Sequence, residues 1–165
     1  MNYIIDGHNL IARIPGLSLD MPDDEQRLIE LLVRFTRQSR HQVEVYFDRA
    51  PVGMAGDQSF GRVRAHFVHH RRTADQAIRT RLGTLHRSSR SWVVVSSDGG
   101  VQSEAREAHA GVMSAEEFAH LLEAGLLHAS PQAESGIPEP PGDEPLSEAE
   151  VREWEAIFKA RGRQK

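Results

Sequence analysis

Short apolar runs alternate with stretches of helical periodicity along most of this 165-residue chain. The first run, NYIID, contains three adjacent large apolar residues and ends in a carboxylate, which is typical of a strand buried on both faces. A later run, RVRAHFVH, alternates apolar and polar positions, which is typical of a strand with one exposed face. By these criteria, strands are predicted over residues 2–6, 43–48, 62–69, 92–98 and 111–113.

Between the predicted strands, apolar residues recur at spacings of three and four, which predicts amphipathic helices. The segment TADQAIRTRLGTL begins with a Thr73 and Gln76 capping box, and SAEEFAHLLEAG begins with a similar box and ends at Gly125. Helices are predicted over residues 23–39, 73–85 and 114–125, with a short one ending near residue 109. Strands alternating with helices predict an α/β fold with a mainly parallel sheet covered on both faces.

The composition changes near the end of the chain. Five of the eight prolines lie between residues 130 and 145, which predicts a linker over 129–146 after a folded domain over 1–128. Residues 147–165 are predicted to form an amphipathic helix with a basic tail. Its apolar face needs a surface to pack on, and either the domain itself or a partner could provide one.

Several classes of protein are excluded by what the sequence lacks. The chain has no cysteine, which removes thiol nucleophiles and thiolate zinc sites. Lysine occurs only at Lys159 and Lys165, so a phosphate-loop lysine is absent from the folded domain. No secretory leader is evident, and no apolar run approaches the length of a membrane span, so a soluble cytoplasmic protein is expected.

The net charge of −4 is unevenly distributed. Residues 62–90, called the basic stretch below, contain eight arginines, four histidines and a single acid, Asp75. Such a stretch can bind a polyanion regardless of overall charge, because the binding energy comes from counterions released at the contact. An ordinary solvated surface is the alternative interpretation.

Four aspartates are predicted to converge on one edge of the sheet. Asp6, Asp48 and Asp98 each end a predicted strand, and Asp75 lies in the first turn of a helix. Oxygen ligands without cysteine favour Mg²⁺ or Mn²⁺ over zinc. Each aspartate alone has another explanation, such as a turn or a helix N-cap, but their convergence predicts a site for a hard divalent metal.

The motifs IIDGHNLI, VYFD, TADQAI and VVVSSD, in this order and at these spacings, resemble the NYN domain of the YacP-like group of PIN-like nucleases. The resemblance covers about residues 1–128, and the last predicted helix resembles the tail of that group. It implies a PIN-like three-layer α/β/α sandwich and metal-dependent RNA endonuclease activity. It also implies that Asp6, Asp75 and Asp98 are the metal carboxylates.

Two positions depart from the family pattern: His8 replaces a usual tyrosine, and Val101 replaces a usual glutamate, which could weaken a second metal position.

Asn9, Ser97 and Gln102 are candidates for orienting water or phosphate, with Asn9 counted among the catalytic residues. His8, His69 and His70 could transfer protons, although the last two are better candidates for RNA contacts. The full set of candidate RNA contacts is Arg62, Arg64, His69, His70, Arg71, Arg72 and Arg79.

The expected substrate is single-stranded RNA, because an open edge can accept a splayed backbone. Both mRNA and ribosome-associated RNA are open as targets, the ribosome is a candidate partner, and the oligomeric state is not predicted. Two other functions stay open. One is an RNA-binding module with reduced catalysis. The other is a receiver-like or phosphatase-like hydrolase on a similar sheet, which the missing lysine and the basic stretch disfavour.

Overall fold

The computed structural model describes residues 1–50, 53 and 55–127. The strands are β1 (Asn2–Asp6), β2 (Val43–Ala50), β3 (Gly56–Phe60), β4 (Val63–His69), β5 (Trp92–Val95) and β6 (Gly111–Met113). The helices are α1 (Gly7–Ile11), α2 (Asp24–Gln38), α3 (Ala74–Leu85), α4 (Gly99–Glu107) and α5 (Ala115–Leu127), with a 3₁₀ helix over His86–Ser91. The predicted linker and C-terminal helix lie outside the described residues.

The six strands form one sheet in the order β3-β4-β2-β1-β5-β6. Every neighbouring pair is parallel except β3 and β4, which form an antiparallel hairpin at the edge. Because β1 pairs with β2 on one side and β5 on the other, the chain reverses its direction of winding at β1. In open α/β sheets, ligands bind at the carboxyl ends of the strands beside this switch point.

Helices cover both faces of the sheet and form the three layers that the sequence predicted. Residues of α1, α2 and α5 pack with Ile5 and Phe47 on one face. Residues of α3 and α4 pack with Ile4 and Val94 on the other. All four of these side chains are fully buried, which explains why the central strands are apolar at successive positions.

Most predicted elements are confirmed, with several differences. β2 continues past residue 48, its predicted end, to Ala50. The short helix α1 was not predicted, because five residues that begin with glycine carry no helical period. The edge strand β3 was also missed, since GDQSF is polar and mostly exposed. β5 ends at Val95 instead of residue 98, and α5 continues past Gly125 to Leu127. No helix in the described part of the chain is long and apolar enough to cross a membrane.

Candidate active site

The four predicted aspartates line one cavity at the carboxyl end of the central strands. The cavity has a volume of about 420 Å³ and opens beside the switch point at β1. Its lining residues are Asp6, His8, Asn9, Ala12, Arg13, Leu19, Asp48, Thr73, Ala74, Asp75 and Asp98. We call this the acidic cavity. A larger cavity of about 910 Å³ beside α2 is lined by only one acid, Glu30, so it lacks the chemistry of a metal site.

The motif Asp6-Gly7-His8-Asn9 joins β1 to the acidic cavity. Asp6 caps α1, where its carboxylate accepts a hydrogen bond from the Asn9 backbone N–H at 3.4 Å. A Cβ atom at Gly7 would lie only 2.3 Å from a ring carbon of Phe47 and 2.9 Å from a backbone oxygen. Because residue 7 is glycine, α1 can begin in direct contact with β2. This arrangement keeps Asp6 at the carboxyl end of β1, beside the cavity.

Local structure positions the other three aspartates in different ways. Asp48 lies within β2 at an irregularity in its pairing with β4, next to Arg49, which has a φ of 58°. Such an irregularity turns side chains away from the regular alternation of a strand. Asp75 lies in the first turn of α3, and Asp98 caps α4 by accepting the Val101 backbone N–H at 3.0 Å. Asp48 and Asp98 therefore reach the cavity from a bulge and a helix cap, not from the strand ends predicted.

Burial and mutual repulsion both act on these carboxylates. Burial raises the pKa of Asp6 to about 6, with smaller contributions from the charges of Asp75 and Asp48, while the hydrogen bond from Asn9 opposes the shift. Burial also raises the pKa of Asp75, and the charge of Asp98 adds to this effect. The acidic cavity therefore concentrates negative charge that a cation would relieve.

His8 lies between two carboxylates at the wall of the cavity. Its Nδ1 is 2.6 Å from Asp48 Oδ1, and its Nε2 is 2.9 Å from Glu25 Oε1. The hydrogen bond to Glu25 is the largest cause that raises the pKa of His8 to about 9, with burial opposing it. The imidazole is therefore protonated at neutral pH and donates both N–H groups to carboxylates, which leaves it poorly suited to transfer a proton.

A chain of polar contacts connects α1 with the loop after β5 and with α5. The Asn9 side-chain oxygen accepts the Ser97 backbone N–H at 2.9 Å. The Ser97 hydroxyl donates to Glu116 at 2.5 Å, and Glu116 forms an ion pair with Arg13, whose Nε is 2.9 Å away. The hydrogen bond from Ser97 is the largest cause that lowers the pKa of Glu116. Sequence reasoning missed Arg13 and Glu116, because no local pattern links two residues so far apart in the chain.

Several predicted site residues do not line the acidic cavity. Gln102 donates its side-chain amide to the Ser96 carbonyl at 2.8 Å, and the hydroxyl of Ser97 is directed to Glu116. Both residues therefore hold the loop between β5 and α4. Val101 is buried in the core that α3 and α4 form against the sheet, and it does not line the cavity.

The predicted RNA contacts lie outside the cavity lining, on the turn before β4, on β4 itself, on the loop that follows it and on α3. Arg64, His69, His70 and Arg71 are exposed, and the rings of the two histidines are 4.0 Å apart. The other arginines of this set have partners within the domain. Arg62 donates to the Arg40 carbonyl, Arg72 donates to the Gln76 carbonyl and to Thr80, and Arg79 pairs with Glu104.

The donor set has the chemistry of a hard-cation site without forming a closed cage. Across residues 1–50, 53 and 55–127, no three histidine, aspartate or glutamate side chains are grouped so as to hold one ion together. Mg²⁺ commonly keeps several waters and uses one or two protein carboxylates together with substrate phosphates. The four carboxylates around an open cavity fit this kind of coordination.

The described residues form an α/β domain in which a mainly parallel sheet, covered by helices on both faces, carries an acid-lined cavity at its switch point. The sequence model of the YacP-like NYN domain matches residues 3–159, and the chain belongs to this family. Family membership supports a nuclease-type protein that acts on RNA.

The fold is similar to that of Rae1 (YacP) from Bacillus subtilis. Its crystal structure matches with a TM-score of 0.69 at 20% sequence identity, covering 98% of this chain and 92% of the other. The structure of a tryptophan-to-leucine mutant of the same Bacillus protein matches with a TM-score of 0.64 at 22% identity, covering 77% of each chain. No curated protein sequence matches the chain significantly. The predicted fold class and family are confirmed.

Proposed function

We propose that this protein is a divalent-metal-dependent endoribonuclease that cleaves single-stranded RNA at the acidic cavity. The observation that carries the proposal is the convergence of Asp6, Asp48, Asp75 and Asp98 around one open cavity at the switch point of the sheet. Membership in the YacP-like NYN family supports the reaction class. Phosphodiester hydrolysis needs positive charge beside the scissile phosphate. This arrangement of carboxylates is suited to bind a divalent cation that supplies the charge.

Asp6, Asp75 and Asp98 would hold Mg²⁺ or Mn²⁺. Asp48 is the least suited of the four to ligate directly, because its carboxylate accepts a short hydrogen bond from the protonated His8. When bound, the ion would lower the pKa of a water molecule and neutralise charge on the phosphate. Asn9 would contribute indirectly, since it bonds to Asp6 through its backbone and to the Asp98 loop through its side chain.

Residues 64–72 of the basic stretch would guide the RNA toward the acidic cavity. The exposed residues Arg64, His69, His70 and Arg71 lie on β4 and on the loop that leads into α3, which carries Asp75. Contacts to phosphates place the backbone without reading sequence. The cavity is open at the carboxyl ends of the central strands, and such an opening suits a flexible single strand better than a rigid duplex.

The decisive experiment incubates the purified protein with total RNA in Mg²⁺, Mn²⁺ or EDTA and maps the new RNA ends. New ends with either metal and none in EDTA are expected, and an Asp98→Asn variant should give none. Ends that form equally in EDTA would contradict metal dependence. A parallel reaction with purified ribosomes compares ribosome-associated RNA with free RNA.

An RNA-binding module with little catalysis is the second candidate. The observation that favours it is the absence of a three-ligand group within the described residues. RNA binding without cleavage in either metal, across a wide range of protein concentrations, would support this module in place of the nuclease.

A further inference from the structure

We propose that Arg13 is the residue of the acidic cavity that binds an RNA phosphate beside the scissile bond. This inference rests on the proposed function and specifies how the cavity receives its substrate. Arg13 lies outside the basic stretch, two residues beyond the end of α1, and it lines the same cavity as the four aspartates.

The charge of the cavity creates the need for such a residue. Four carboxylates repel a polyanion, and a bound divalent ion offsets only part of that charge. Phosphates next to the scissile one would also lie close to the aspartates, without an ion of their own. A side chain that donates several hydrogen bonds to phosphate would reduce the cost of bringing the backbone into the cavity.

Among the residues that line the cavity, Arg13 and His8 carry the positive side chains. His8 is committed, because both of its ring nitrogens contact carboxylates, those of Asp48 and Glu25. In Arg13, by contrast, only one of the three guanidinium nitrogens pairs with a carboxylate. Its Nε pairs with Glu116, and its two terminal nitrogens make no hydrogen bond with any residue that the structure describes. These terminal nitrogens can donate to a phosphate in the forked geometry that arginine favours.

Glu116, the ion-pair partner of Arg13, is itself held in place. Glu116 accepts the Ser97 hydroxyl at 2.5 Å, and Ser97 in turn donates its backbone N–H to Asn9 at 2.9 Å. These contacts anchor Glu116 beside the loop that carries Asp98. An arginine paired with an anchored carboxylate loses less conformational entropy when it binds phosphate than an unpaired arginine does.

The test uses the full chain and a labelled single-stranded RNA, with affinity measured by fluorescence anisotropy at several salt concentrations, in EDTA and in Ca²⁺. Arg13→Ala should weaken binding about tenfold at low salt. It should also reduce the slope of log affinity against log salt by about 0.7, the value for one phosphate contact on a single strand. Arg13→Lys should keep the slope and lose part of the affinity, since lysine retains charge without the fork.

Arg27→Ala is the matched control. Arg27 also pairs through its Nε with a carboxylate, that of Asp23, and its side chain is 49% exposed, as is that of Arg13. It does not line the acidic cavity. This variant should bind RNA like the wild type, which separates phosphate binding at the cavity from the general loss of a surface arginine.

The outcomes distinguish this inference from the proposed function. If Arg13→Ala binds and cleaves RNA like Arg27→Ala, Arg13 only stabilises the domain, and the inference is wrong while the nuclease stands. If Arg13→Ala loses affinity and salt slope although the wild type cuts no RNA with any metal, the phosphate contact of Arg13 in the cavity holds, and both the nuclease and the placement of this phosphate beside a scissile bond are wrong. A wild-type protein that does not bind RNA would overturn both.

Discussion

The Nδ1 atom of His8 lies 2.6 Å from a carboxylate oxygen of Asp48, and this contact ties the start of α1 to the irregular end of β2. The other ring nitrogen contacts Glu25 at the start of α2. One imidazole therefore connects three elements at the wall of the acidic cavity. Because its pKa is raised to about 9, it carries a positive charge among carboxylates at neutral pH.

His8→Ala should lower the free energy of unfolding by about 1–3 kcal/mol in EDTA, because both carboxylates lose a charged hydrogen-bond donor. The measurement is urea denaturation followed by circular dichroism at neutral pH. His120→Ala is the control, since His120 is 84% exposed and lies 4.0 Å from Glu123. A loss no larger than that of the control would mean that the two contacts of His8 contribute nothing measurable to stability.

Asp6→Asn and Asp98→Asn should each reduce metal-dependent RNA cleavage by orders of magnitude while the fold stays intact. Asparagine keeps an oxygen that can accept the helix-cap hydrogen bonds made by these two residues, but it removes the negative charge. Asp57→Asn is the control, because Asp57 is exposed and pairs with His66 on the edge hairpin. Cleavage rates on a labelled RNA measure the effect, and wild-type rates in both cavity variants would exclude this site.

Asp6→Asn should also stabilise the protein when metal is absent. Burial raises the pKa of Asp6 to about 6, so its folded-state carboxylate is disfavoured above the unfolded pKa near 4. The destabilisation develops as the pH rises through this range and is complete at neutral pH. The asparagine variant lacks this cost, and its melting temperature in EDTA at neutral pH should exceed that of the wild type. A lower melting temperature would show that the carboxylate contributes more to the domain than it costs.

The sequence predicted those parts of the structure that depend on local patterns. The inner face of α3, with Ala74, Ile78, Leu82 and Leu85 buried, follows directly from apolar spacing and a capping box. The convergence of the aspartates was also predictable, since parallel strands bring their carboxyl ends to one edge. These predictions hold even though Asp48 and Asp98 do not end strands.

The remaining parts of the site depend on contacts between distant segments. Nothing in the sequence around His8 indicates that Glu25 and Asp48 will enclose it. The ion pair between Arg13 and Glu116 likewise forms only after α1 and α5 pack on the same face of the sheet. The antiparallel strand β3 is held by backbone pairing to β4, which its own polar side chains do not signal.

Neutralising Arg71 and Arg72 together should weaken RNA binding to a similar extent on different sequences. Each lost phosphate contact should reduce the salt slope on single strands by about 0.7, while turnover at saturating RNA should change much less. Arg71 is the more exposed to RNA, because Arg72 also donates to Gln76 and Thr80. Binding is measured at several salt concentrations in Ca²⁺.

The control for this pair is the double variant Arg87→Ala, Arg90→Ala. These arginines lie in the 3₁₀ helix that precedes β5, so they are at the end of the sheet opposite the acidic cavity. The control therefore removes the same two positive charges far from the acidic cavity. Equal salt slopes for the two double variants would assign Arg71 and Arg72 to the general surface and place the RNA path elsewhere.

Both tyrosines of the chain should resist ionisation in the folded protein. Tyr3 and Tyr46 are each 5% exposed, and burial is the main cause that raises the pKa of both phenols. The carboxylate of Glu44, which accepts the Tyr46 hydroxyl at 3.1 Å, adds to the shift of that residue. The neutral phenols stabilise the fold fully below the unfolded pKa of about 10, and this stability is lost as the pH rises above it. In an alkaline titration, tyrosinate absorbance should therefore appear together with the loss of circular dichroism. It should appear at a higher pH than in urea-unfolded protein. Tyrosinate that forms near pH 10 while the circular dichroism is unchanged would contradict the burial of β1 and β2 at the centre of the sheet.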